Sequence, residues 1–295
     1  MLFLPDAKGA AGRQPQHPVP KPGSHMTREF AFTDQDFLRI RTLIHQHAGI
    51  ALADSKQELV YSRLARRLRA TGLKTFAEYL TLLQRGNEAE WEAFTNSLTT
   101  NLTSFFREAH HFTLLAEHLR KLDKSRPIRL WCSACSTGEE AYSMAITVAE
   151  TLGGFDHPVS IVASDLDSHV LVAARTGRYK ADAVSKLSPQ RIEKFFTPAD
   201  AGHFLVRPEL QRMIEFKRIN LLEASYPICG QLDAIFCRNV MIYFDKDTQL
   251  AILKKFVPLL RPDGLLFAGH SENFYHAAAY FKLRGQTVYE RASPH

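Results

Sequence analysis

Cysteine is scarce in this 295-residue chain. In a chain this long its four cysteines, Cys132, Cys135, Cys229 and Cys237, are expected to be reduced thiols rather than a disulfide framework. No export signal is expected with them, since Leu2 to Leu4 is a short apolar stretch that Pro5-Asp6 breaks at once. Long apolar runs are missing too; none approaches the ~20 residues that cross a bilayer. The expectation is a soluble cytoplasmic protein with reduced thiols and no insertion into the membrane. Cys229 and Cys237 form no second close pair beside Cys132 and Cys135, so no metal site is expected. The pattern also lacks a Ser-His-Asp or Cys-His arrangement and any internal repeat.

Apolar residues are plentiful at 45%, enough for a sizeable core in one large domain or two ordinary ones. The net charge of +6 suits an acidic partner: nucleic acid, an anionic surface or an acidic protein. Charge alone does not choose among them.

Residues 1–26 are rich in Pro, Gly, Ala and Gln without an apolar period, and read as a disordered tail. Within it Gly23-Ser24-His25-Met26 resembles a cloning scar. Residues 27–98 read as all-helical. Thr33 caps an apolar stripe at Phe37, Ile40, Leu43 and Ile44 that Gly49 ends. Further helices are expected from Asp54 to Thr71, from Thr75 to Gln84, and from Glu88 on. The second carries Val60, Tyr61, Leu64 and Leu68 on one face and Arg63, Arg66, Arg67 and Arg69 on the other.

From residue 99 to 295 the pattern changes. Short apolar runs at Ile128, Val159, Leu232 and Leu265 alternate with helical segments at Glu139–Thr151, Ser168–Arg175 and Asp247–Leu260. That order predicts a parallel sheet covered on both faces. A small β insertion is expected at about 180–220, ending in the strand-like run Met213 to Ile219. A last hairpin is expected around Gly285.

Four segments carry chemistry. The first strand runs into Cys132-Ser-Ala-Cys-Ser-Thr-Gly-Glu-Glu140, and ligands of open α/β sheets bind beyond the carboxyl ends of strands. Two carboxylates at a helix start repel phosphate and suit a cationic or hydroxyl-rich ligand. The same residues read equally as a helix cap. Asp165 ends the second strand, where nucleotide folds hold ribose hydroxyls, and it too reads as a cap. Arg238, Asn239 and Tyr243 follow the Leu232 strand. Thr99 to Arg107, dense in Thr and Asn with two Phe, joins the two halves, where a cleft fits. Trp131-Cys-Ser-Ala-Cys135 also resembles a thioredoxin-type redox motif, which would make the chain a disulfide oxidoreductase.

Taken in order, Asn101-Leu-Thr-Ser-Phe-Phe-Arg107, Ser136-Thr-Gly-Glu-Glu140, Asp165 and Asn220-Leu-Leu222 resemble the CheR-type chemotaxis receptor methyltransferases. Cys237-Arg-Asn-Val-Met-Ile-Tyr-Phe-Asp245, Arg261-Pro-Asp-Gly-Leu-Leu266 and Gly269-His-Ser-Glu272 extend the likeness, which covers roughly Thr33 to Glu290. The resemblance implies an α/β fold: a Rossmann-like S-adenosylmethionine methyltransferase domain with an N-terminal all-helical domain and a small β insertion. It implies transfer of a methyl group to receptor glutamates, with S-adenosyl-L-homocysteine as product. Carried across by position, Asn101, Thr103, Arg107, Glu140, Asp165, Asn220, Leu221, Arg238 and Asn239 would hold the cofactor. Arg107 and Tyr243 would serve catalysis by aiming the substrate. Arg63, Arg66 and Arg67 would meet the substrate, the cytoplasmic helical domain of methyl-accepting chemotaxis receptors. A nucleic-acid methyltransferase would show Asn/Asp-Pro-Pro-aromatic where this chain has Arg238-Asn-Val-Met-Ile-Tyr243, so no nucleic-acid partner is expected. The chain is expected to act as a monomer.

Overall fold

The computed structural model describes residues 28–200 and 202–292; the expected tail, residues 1–26, lies outside them. The chain first forms helices α1 (Asp34–Ala48), α2 (Gln57–Thr71), α3 (Phe76–Gln84) and α4 (Glu88–Leu98). Thr33 and Asp36 make a reciprocal capping box at the start of α1. Gly49 ends it in the left-handed conformation with φ 72°. No other residue suits Gly49, because a Cβ there would lie 2.8 Å from Leu222 and 3.2 Å from the Phe244 ring. The expected Asp54 helix begins with a 3₁₀ turn, Asp54–Lys56, before α2 proper. Ile40, Ile44, Val60, Leu64, Leu68, Tyr79 and Phe94 are fully buried and make this unit's own core.

Helix α5 (His110–Lys121) has no counterpart among the helices expected from the sequence. Its buried positions, His111, Phe112, Leu115, His118 and Leu119, keep a helical period, but two of them are histidines that mask the stripe. It packs beside α6 (Glu139–Leu152), which follows β1 (Ile128–Cys132). Next come β2 (Val159–Asp165), α7 (Ser168–Thr176), β3 (Arg178–Lys180), α8 (Ala181–Val184), α9 (Pro189–Phe195), β4 (Phe196–Pro198), β5 (His203–Val206) and α10 (Pro208–Gln211). The chain ends with β6 (Ile214–Arg218), β7 (Leu232–Cys237), α11 (Lys246–Leu259), β8 (Leu260–Ala268), β9 (Phe281–Gly285) and β10 (Val288–Arg291).

The main sheet has the order β6-β2-β1-β7-β8-β10-β9. Its first five strands are parallel, and the β9–β10 hairpin adds antiparallel to β8. Every residue of β7 is buried, as a central strand with helices on both faces requires. Strand order reverses at β1 and β7, which opens a crevice beyond their carboxyl ends. A separate antiparallel sheet, β3-β5-β4, forms the insertion. One correction concerns the run Met213 to Ile219. As β6 it pairs with β2 at the edge of the main sheet, so the small sheet closes earlier, at Val206.

Candidate cofactor and substrate cleft

A cleft of about 960 Å³, open to solvent, lies beyond β1, β2 and β7 and is roofed by the helical unit. Every residue expected to hold the cofactor or aim the substrate lines it: Asn101, Thr103, Arg107, Glu140, Asp165, Asn220, Leu221, Arg238, Asn239 and Tyr243.

The floor is built from the turn between β1 and α6. Ser136 adopts φ 47°, and its N–H donates to Asp165 Oδ2 at 2.9 Å. The other Asp165 oxygen accepts from Asp167 N at 3.1 Å. Burial pushes the Asp165 carboxyl above its ordinary range, and those N–H groups pull it back. Gly138, at φ 100°, starts α6 where a Cβ would meet Tyr179 Oη at 2.8 Å. The two glutamates that follow part company. Glu139 accepts from Thr137 Oγ1 at 2.6 Å and faces a shallow hollow lined by Arg178 and Tyr179. Glu140 turns into the cleft, accepting from Cys132 Sγ at 3.2 Å and Arg238 Nη1 at 2.7 Å. Burial raises its pKa, opposed by the Arg238 guanidinium.

Arg238 is a hub. Its side chain is completely buried. Beyond Glu140 it donates to the Arg107 carbonyl at 2.6 Å and pairs with Glu108 at 3.2 Å. Burial would raise Glu108, but Arg238 and a hydrogen bond from His270 hold it down at about 2. So Arg238 reaches the cleft with its guanidinium already engaged, and only Nε lacks a partner. Glu108 also sits within reach of His110 and His111, a grouping with metal-ligand geometry. The guanidinium 3.2 Å away already supplies the positive charge there, so the group reads as an ion-pair cluster.

The junction loop is pinned from both sides. Phe105 is buried against Tyr179 and Phe196, and Phe106 N donates to Ser143 Oγ at 2.9 Å. Asn101 Nδ2 donates to Asp167 at 3.0 Å, and its carbonyl accepts from Ser136 Oγ at 3.0 Å. Arg107 Nη1 donates back to Leu102 O at 2.9 Å. On the roof, Asn220 Nδ2 donates to His47 O at 3.2 Å and Tyr243 Oη to Thr100 O at 3.2 Å.

The arginines of α2 stand outside this cleft, and two of them are engaged within the fold. Arg63 donates to the carbonyls of Ser97 and Thr99 and to Thr100 Oγ1, holding the junction. Arg67 makes a two-pronged pair with Glu90, which also accepts from Tyr79 Oη. Both are held by partners distant in sequence, which a helical wheel does not show, and both stay partly exposed. Arg66 is exposed and without a partner among the described residues.

Sequence reasoning missed Glu108, which no motif singled out. It also gave Glu272 no role, although the loop Gly269–Glu272 was part of the resemblance. The redox reading fails physically: Cys132 and Cys135 are buried, and burial drives both thiols well up, against forming a thiolate.

Residues 101–290 match the family model described as "CheR methyltransferase, SAM binding domain", and residues 35–99 match "CheR methyltransferase, all-alpha domain". The chain belongs to the CheR methyltransferase family. It is 55% identical over 268 residues to a chemotaxis protein methyltransferase of Salmonella typhimurium, covering 90% of this chain and 92% of the relative. A namesake from Escherichia coli is 54% identical over 268 residues, with 90% and 93% covered. Chemotaxis protein methyltransferase 2 of Pseudomonas aeruginosa is 54% identical over 269 residues, with 90% and 96% covered. A solved structure it resembles is that of a glycopeptide N-methyltransferase, 13% identical with a TM-score of 0.35, covering 65% of this chain and 60% of that one. This CheR protein is therefore an S-adenosylmethionine-dependent methyltransferase of chemotaxis. Among the described residues no helix is long and apolar enough to cross a membrane.

Proposed function

We propose that this CheR methyltransferase esterifies glutamate side chains on the cytoplasmic helical domain of methyl-accepting chemotaxis receptors, working in the cytoplasm as a monomer. Residues 99–295 form the transferase and 27–98 the unit that roofs it. The observation that carries the reading is one cleft with a carboxylate floor, Glu140 and Asp165, and a rim formed by Arg107 and Tyr243.

The donor set fits S-adenosylmethionine. Acids at the ends of β1 and β2 suit an ammonium and ribose hydroxyls, not a phosphate. Arg238 Nε, from a residue that lines the cleft, is buried without a partner and suits a polar ligand. In this assignment Asn101, Thr103, Asn220, Leu221 and Asn239 complete the cofactor wall. When bound, the cofactor supplies a methyl group on a positively charged sulfur.

The chain's own residues then need only position. A glutamate, with an ordinary pKa of about 4.3, is ionised at neutral pH, so no general base is required. Opposite charges neutralise as the bond forms, so displacement of water from the cleft by the bound cofactor and substrate favours transfer over the separated ions. Arg107 and Tyr243 aim the carboxylate; a tight clamp by Arg107 would stabilise the reactant more than the less charged transition state. The test is methyl transfer from labelled S-adenosylmethionine to receptor fragments. Label released by base as methanol supports the ester, and base-stable label or none sinks it.

A further inference from the structure

One buried carboxylate does not itself line the cleft but holds backbone that does. Glu272 is 4% exposed and follows β8 in the loop Gly269–Glu272. Its Oε2 accepts from Asn239 N at 3.0 Å and Gly269 N at 2.5 Å, and its Oε1 accepts from Ile242 N at 3.3 Å. The Asn239 and Ile242 amides belong to the segment that carries Asn239 and Tyr243 into the cleft. That segment is unusual: Asn239 sits at φ 57°, and the 3₁₀ turn Met241–Tyr243 has no cap from its own preceding residue. Its carbonyl side is held as well, by Gln249 Nε2, which donates to Met241 O at 2.8 Å and Phe244 O at 3.0 Å. Gly269 must be glycine for this fit, because a Cβ would lie 2.4 Å from Asn239 Nδ2 and 2.9 Å from Glu272 Oε2.

We propose that Glu272, with Gln249 opposite it, is a positioning residue that holds the turn Asn239–Tyr243 and thereby sets where Tyr243 meets the substrate carboxylate. The inference rests on the glutamyl-methyltransferase reading given above. A carboxylate suits this task better than an amide. Both its oxygens accept, whereas Gln would turn an NH₂ group against backbone N–H donors. Supporting groups of this kind fix a site to within a fraction of an ångström, and a slip of about 1 Å costs roughly 100-fold in rate.

The test is a double-mutant cycle on the full chain, read as kcat for a receptor fragment. Glu272→Gln is expected to lower kcat about 10- to 100-fold. In that background the loss caused by Tyr243→Phe shrinks to about twofold or less, because the hydroxyl is already misplaced. If Tyr243→Phe costs the same factor in both backgrounds, or nothing in the parent, the proposal is overturned. Should Glu272→Gln fail to fold, Gln249→Leu releases the same turn from its carbonyl side and takes its place, with the same two outcomes. A parent chain that transfers no base-labile methyl overturns the functional reading and this one together. An active parent with an undiminished Tyr243→Phe loss overturns this one alone.

Discussion

The two ends of strand β7 solve the same problem with opposite signs. At the amino end Asp233 is a buried anion among cations. Arg126 grips it with two bonds at 2.7 and 3.1 Å, Arg129 N donates at 2.9 Å, and Arg261 stands at 3.4 Å. At the carboxyl end Arg238 is a buried cation among anions, Glu140 and Glu108. The amino end carries a register shift against β8 between Leu232 and Ala234, but Arg126, Arg129, Asp233 and Arg261 all keep ordinary negative φ. The carboxyl end is surrounded by strained backbone: Phe106, Glu108, Ser136 and Asn239 all have positive φ without being glycine. Such conformations cost of order 1–3 kcal/mol each and persist where surroundings force them. The difference teaches which cluster serves stability alone and which also shapes a cleft.

The largest effects break the clusters outright. Arg238→Met removes the cation between buried Glu140 and half-buried Glu108, at about 3–5 kcal/mol. It also frees the Arg107 carbonyl, so methyl transfer should fall by about 100-fold or more even in the folded fraction. Asp233→Asn should cost roughly 3 kcal/mol, seen as a melting point lower by about 5–10 °C, with kcat per folded molecule unchanged. A comparable drop in kcat for both variants would erase the distinction between the two ends.

Acid sharpens the comparison on a smaller scale, because each end holds a buried histidine. Burial and the charge of Arg238 lower His111 from 6.5 to about 4, against a hydrogen bond to the Gln286 carbonyl that raises it. Burial also lowers His118, beside Asp233, against its bond to the Asp233 carbonyl. A depressed histidine binds its proton in the unfolded chain first. Its stability contribution is therefore complete above pH 6.5 and lost as pH falls towards 4, at most about 3 kcal/mol for His111. Glu108 adds a loss in the same direction below its ordinary range, as pH falls towards about 2. Melting curves at pH 7.5 and 5 should show His111→Gln flattening the slope more than His118→Gln does. The reverse order would place the acid-sensitive point at the amino end.

Much of this was legible in sequence, for local reasons. The stripe Phe37, Ile40, Ile44 reports a helix because packing repeats with the helical period. The run Leu232–Cys237 reports a central strand because both its faces are buried. The cleft residues were legible as motifs at strand ends. What stayed hidden depends on partners far along the chain. Glu272 acts on backbone amides, which have no residue signature. Glu139 and Glu140 differ only by a 100° turn about α6, which sequence cannot orient. Arg63 and Arg67 look like solvated charge until Thr99 and Glu90 fold against them.

That last pair carries the contrast between engaged and free charge onto α2, where the smallest effect is expected. Charge reversal at Arg63 would leave a carboxylate facing the carbonyls of Ser97 and Thr99, so it should loosen the junction and damage every property of the enzyme. Arg66, exposed and unpaired among the described residues, can be reversed without such a cost. An exposed charge contributes at most about 1 kcal/mol to a complex, so Arg66→Glu should raise KM for an acidic receptor helix about two- to fivefold. Cofactor affinity by calorimetry should not move, and the KM difference should fade in high salt as screening shortens to a few ångström. If cofactor affinity falls together with receptor affinity, Arg66 belongs with the structural arginines, and the receptor does not read the basic face of α2.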